Sequence, residues 1–143
     1  MLLMTHLSHK LRLFTLLLLC SVISIVSHAE DEGEEAPVPT AYVELKPSFV
    51  VNYQTKDNRL RYIKTSISIR TDVVQKDLIE ANMPLVRDAL VMFLSSRTAK
   101  QVTGTIAREQ TRADAALAVN NAMLEETRQT PVKDILFASF VTQ

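Results

Sequence analysis

The side chains best placed to do chemistry form a short set. Asp88 stands beside Arg87, Glu109 and Asp114 share one polar stretch, Glu125 and Glu126 are adjacent, and Ser95 and Ser96 offer hydroxyls. Acid–base work needs two carboxylates held in one pocket by surroundings that drive their pKa values apart. Glu109 and Asp114 instead fall on the polar side of a helical pattern, and Glu125 and Glu126 near its end, which reads as solvated charge. Asp88 with Arg87 reads as a surface ion pair. A serine nucleophile needs a base within hydrogen-bond reach. No histidine or cysteine comes after Glu30, because His6, His9, His28 and Cys20 all precede it. That excludes thiol and imidazole chemistry, disulfides and the usual zinc ligands from the rest of the chain. Gly33 and Gly104 are the only glycines, so no glycine-rich loop can cradle a phosphate. We expect no catalytic residue, no cofactor, no metal and no small-molecule substrate.

The formal charge balances at 16 basic and 16 acidic residues. Past residue 41 the excess of Lys and Arg is too mild for nucleic acid, which requires clustered cations. Arg97, Lys100, Arg108, Arg112 and Arg128 make one helical region moderately basic, suited at most to an acidic partner or anionic lipid. Asn120 and Asn121, amid small residues, offer a weak candidate contact with another subunit.

The elements that must position these groups begin at residue 41. Residues 1–29 form a separate hydrophobic segment. Its uncharged run includes Leu13, Phe14, Leu16, Leu17, Leu18, Leu19, Val22, Ile23, Ile25 and Val26, behind Lys10 and Arg12. At about 1.5 Å per residue the run spans roughly 22 Å, short of a hydrocarbon core of about 30 Å. By length it fits a secretory signal cleaved after Ala29, at Ser27-His28-Ala29; snorkelling Lys10 and Arg12 could instead stretch it into an anchor. Cys20 comes after Leu19 rather than a small residue, so it reads as an apolar filler and not an acylation site. Either way the chain beyond Glu30 is exported. Residues 30–40, EDEGEEAPVPT, are an acidic linker.

In residues 41–143 the pattern runs strand, strand, two helices, strand. Residues 41–53 are rich in β-formers, with Pro47 separating two short pieces. Residues 54–59 make a turn, and residues 60–71 alternate, placing Ile63, Ile67 and Ile69 on one face. Asp72 is positioned to cap the helix that begins beyond it. Leu78, Leu85, Val86, Ala89, Leu90, Phe93 and Leu94 lie at helical spacing, and we expect one helix kinked at Pro84. Gly104 marks a break before a second helix with a thin stripe of Ile106, Ala113, Leu117, Val119, Ala122 and Met123. The closing strand, VKDILFASFVTQ, alternates Val132, Leu136, Ala138 and Phe140 against Ile135, Phe137 and Val141. Both sides are apolar, so the expectation is an internal strand in which Phe137→Asp or Phe140→Asp unfolds the domain. The fold class is α+β: a small, mostly antiparallel sheet with two helices on one face.

The stretches YVELKPSFVVN, RYIKTSISI, MPLVRDALVMFLS and VKDILFASFVTQ, in that order, resemble the flagellar basal body-associated protein FliL family. The resemblance covers roughly residues 41–143. It departs from the family at Ile106-Ala107-Arg108-Glu109, where members commonly carry a glycine, and in the short N-terminal run. It implies a stomatin-like (SPFH) domain in the periplasm and a retained single-pass inner-membrane anchor. It further implies homo-oligomers beside the motor stator, a role in flagellar rotation, swimming, swarming and chemotaxis, and no enzymatic activity. The alternative is a cleaved, periplasmic protein-interaction module unrelated to motility.

Overall fold

Strict alternation of apolar and polar residues dictates a strand with one dry face. The computed structural model, which describes residues 37–56 and 59–143, shows this in β2, Tyr62–Asp72, where Ile63, Thr65, Ile67, Ile69 and Thr71 are all buried. β1, Thr40–Asn52, pairs with one side of β2 and β3, Asp134–Thr142, with the other, both antiparallel. The architecture is therefore α+β around a three-stranded antiparallel sheet, with β2 at its centre. β1 is a single strand across Pro47, whose peptide bond with Lys46 is cis.

Among the described residues the last strand is an edge, paired with β2 alone, and not an internal strand. The β2–β3 register shifts so that Ile67 faces Phe137 while Ser66 faces Ser139, leaving Ala138 as an extra residue in a bulge. A bulge reverses the parity of every later residue in the strand. Phe140 thus joins Ile135 and Phe137 on the helix side, opposite Thr65, Ile69 and Ile67 respectively. Leu136, Ser139 and Val141 are left to the open side. The bulge moves Phe140 off the open side, which keeps Leu136 and Val141 but no aromatic ring of this strand. Only Ile135 of this strand is fully buried, while Phe137 and Phe140 are half-buried.

After β2 comes a 3-10 turn, Val73–Gln75, then α1, Lys76–Ala81, and α2, Met83–Ser95. The single kinked helix is replaced by two. Pro84 lacks an N–H and sits in the first turn of α2, where none is needed. Asn82 closes α1 by donating its side-chain Nδ2–H to the Leu78 carbonyl at 2.8 Å. Asp72 does not cap; its carboxylate pairs with Lys133. A short α3, Ala99–Val102, leads to Gly104, whose φ of +92° is the backbone conformation only glycine adopts freely. α4, Thr105–Thr127, comes next and ends at Arg128, itself left-handed at φ 61°.

The core is one layer between sheet and helices. Val43, Leu45, Phe49 and Val51 of β1, with the isoleucines of β2 and Ile135, face Ile79, Val86, Leu90, Leu94, Val102, Val119 and Met123. The stripe of α4 differs from the expected one. Thr111, Ala115, Val119 and Met123, at strict i+4 spacing, are buried, while Ile106 and Leu117 are 88% and 62% exposed. Small Ala115 lets the helix approach the sheet, and Thr111 is dry because its hydroxyl donates to the Gln101 carbonyl at 2.7 Å.

Candidate interaction surface

The side of α4 next to its buried stripe runs along β3. Arg112 lies there and reaches three groups. It forms a two-point pair with Glu109, its Nε 3.0 Å from Oε2, and its Nη1 meets the Asp134 carboxylate and the Ile135 carbonyl, the latter at 3.5 Å. Asp134 also has Arg70 at 3.6 Å. The hydrogen bonds from Arg112 hold the Glu109 carboxyl below the usual glutamate value, and Glu109 in turn raises the Arg112 guanidinium. Two turns further along α4, the Asn120 amide clamps the chain entering β3. Its Nδ2–H donates to the Val132 carbonyl at 2.8 Å, and the Val132 N–H donates to Oδ1 at 2.9 Å. Asn120 is thus committed within the domain rather than offered to another subunit; Asn121 remains exposed.

Arg112 divides a groove between α4 and β3. Toward the start of α4 is a hollow of about 530 Å³ walled by Arg108, Glu109, Leu136, Phe137 and Phe140. Arg108 stacks over the Phe140 ring at 5.5 Å, and the Phe137 and Phe140 rings lie 4.9 Å apart. Beyond Arg112 a second hollow of about 440 Å³ is lined by Arg70, Ala116, Leu117, Asn120 and Lys133. β3 ends in a doubly bonded pair, Tyr62 N–H to the Gln143 carbonyl at 2.9 Å and the reverse at 3.0 Å. Alternation along the ladder then turns the backbone groups of Phe140 and Thr142 outward. Among the described residues no strand pairs with that edge.

The open side of the sheet carries hydroxyls across all three strands. Ser48 and Ser66 lie 2.9 Å apart, the Ser139 hydroxyl is 3.3 Å from that of Ser66, and the Ser66 N–H donates to it at 3.2 Å. Both bulges flank Ser66, the other lying between Leu45 and Phe49. Lys46, which lines the same hollow, pairs with Glu44 at 3.0 Å, and no histidine lies among the described residues to serve as a base. They hydrogen-bond one another.

The other sequence candidates are dispersed. Arg87 does not pair with Asp88, since neighbours on a helix diverge; its guanidinium lies 4.2 Å over the Phe49 ring. Asp114 meets Arg97 at 3.6 Å and accepts from Gln110 at 2.8 Å. Ser95 and Ser96 bond back to the Met92 and Phe93 carbonyls. Glu125 and Glu126 are exposed. The basic set splits, with Arg97 and Arg112 paired, Arg108 stacked, and Lys100 and Arg128 outside any such pair and exposed. The Glu109–Arg112 link was readable as an i, i+3 pair, but the serine trio and the Phe137–Phe140 pair depend on bulges that leave no local signature. Among the described residues no three of His, Cys, Asp and Glu stand close enough to hold a metal. No helix of the described residues is long and apolar enough to cross a membrane, and the hydrophobic run at 13–26 and the Ala29 site lie outside them.

A family model described as flagellar basal body-associated protein FliL matches residues 42–143. No curated protein matches the chain.

Proposed function

This chain belongs to the flagellar basal body-associated FliL family, a family of flagellar accessory proteins rather than a known enzyme family, and we propose that it acts beside the motor stator by contact and position. In this reading residues 13–26 are a single pass through the inner membrane. The acidic stretch 30–40 is a spacer, and the domain at 41–143 stands in the periplasm as a stomatin-like module. Copies associate with one another and with stator proteins, and so affect flagellar rotation, swimming, swarming and chemotaxis.

The observation that carries the proposal is the extent of the family match, which takes in every described strand and helix from Tyr42 onward. The groove between α4 and β3 supports it. Half-buried Phe137 and Phe140 beside Arg108 and Arg112 have the aromatic and arginine character of contact surfaces. The test is deletion of the gene with complementation by the intact chain. Reduced swimming and swarming, restored on complementation, is the expected result. Unchanged motility under every load overturns the proposal.

A further inference from the structure

The cations of this domain are unevenly compensated. Near the start of β1, Lys133 pairs with Asp72, Lys76 with Glu80 and Arg70 with Asp134, leaving Arg128 as the unpaired cation of that end among the described residues. At the opposite end, around the β1–β2 turn, Lys56, Arg59 and Lys100 are exposed and meet no carboxylate among the described residues. Here the chain after β1 is pinned to the link between α2 and α3. The Gln54 N–H donates to the Arg97 carbonyl at 2.8 Å, and Gln54 forms a parallel bridge with Thr98. The result is a cleft of about 740 Å³ lined by Gln54, Thr55, Lys56, Arg61, Thr98 and Lys100.

We propose that this cleft, with Lys56 and Lys100 on its walls, is a docking site for an acidic polypeptide segment of a partner protein. Uncompensated like charges repel one another and are relieved by a partner of opposite sign. Ammonium groups among hydroxyls and an amide suit spaced carboxylates. Phosphate recognition favours a guanidinium fork, and Arg61, the one arginine lining the cleft, is already engaged. Length keeps the acidic run of the same copy from supplying the ligand. β1 alone spans roughly 40 Å at about 3.3 Å per residue, whereas residues 30–36 extend at most about 25 Å. The inference depends on the basal-body reading only for the setting in which the partner is met.

The test titrates a fluorescein-labelled Glu-Ser repeat peptide into the full chain in detergent micelles, read by fluorescence anisotropy. The unaltered chain should bind it with an affinity that falls as salt rises. The Lys56→Glu, Lys100→Glu chain should bind about tenfold more weakly, and Arg128→Glu, a charge reversal at the far end, within about twofold of the unaltered chain. If reversal unfolds the domain, Lys56→Gln, Lys100→Gln, expected about threefold weaker, carries the comparison. Undiminished peptide binding by the charge-altered chains overturns the proposal. So does displacement of the peptide by equimolar inorganic phosphate, or tighter capture by phosphatidylglycerol vesicles through the same two lysines. A motility phenotype on gene deletion is independent of each of these outcomes, so either reading can fail alone.

Discussion

Phe137 and Phe140 lie on the same side of β3, with their rings 4.9 Å apart, although an odd spacing in a regular strand would send them to opposite faces. The extra residue, Ala138, is what unites them. Deleting Ala138 brings Phe137 and Phe140 two positions apart, so regular alternation keeps both on the helix side and the pairing of Ser139 with Ser66 is retained. The deletion should therefore change stability by no more than about 0.5 kcal/mol in urea denaturation, within ordinary surface effects. A loss of about 2–3 kcal/mol, the scale of unburying a large aromatic, would show that a ring has left the helix side and that Ala138 is not surplus.

Burial differs sharply along the same strand. Ile135 is fully buried, whereas Phe137 and Phe140 are half-buried beside the α4 groove. Ile135→Asp places an unpaired carboxylate in the core and should unfold the domain, since its cost of several kcal/mol rivals total stability. Phe137→Asp should cost about 2 kcal/mol and leave a cooperative thermal transition. Circular dichroism melts separate the two outcomes.

Asn120 satisfies both backbone groups of Val132, a buried residue. Asn120→Ala strands them, at an expected cost of about 1–3 kcal/mol. The exposed neighbour makes the control, as Asn121→Ala should stay within about 0.5 kcal/mol of the unaltered chain.

Glu109 has its folded pKa lowered chiefly by hydrogen bonding from Arg112. Its contribution to stability is therefore present above the ordinary glutamate value and is lost as pH falls through the lowered one. The side chain is well exposed, so the effect is best read locally. A side-chain NMR titration should put the Glu109 midpoint below the ordinary value, and Arg112→Gln should return it upward. An unchanged midpoint in that variant would refute the pairing.

On the proposed topology the mature protein retains residues 13–26. Intact-mass measurement of the membrane fraction should find the hydrophobic run still attached, and alkaline carbonate should fail to release the chain. A soluble product starting at Glu30 would mean cleavage after Ala29 and favour the secreted interaction module.

Legibility in the sequence tracked how local each determinant is. β2 was readable because Ile63, Ile67 and Ile69 sit at alternate positions without interruption, and Gly104 because its backbone angle is one other residues avoid. The break at Asn82 was half-readable, since Pro84 serves equally as a kink or as a first-turn residue. The true stripe of α4 was hidden because Thr111 and Ala115 carry little hydrophobic signal, whereas Ile106 and Leu117 carry more and face outward. The sidedness of β3 is hidden because Ala138 looks like any other strand residue, and only pairing with Ser66 and Ile67 reveals it as surplus. The surface groove was illegible for a related reason, as Arg112, Asp134 and Asn120 come together only after β3 docks beside α4.

The two interruptions flanking Ser66 leave neither rim of the sheet a straight run of free amides and carbonyls. Unbroken rims let identical copies crowded at one spot fuse into endless fibrils. A kinked rim is a poor template for a further strand, so it disfavours continuation of the sheet into a second copy.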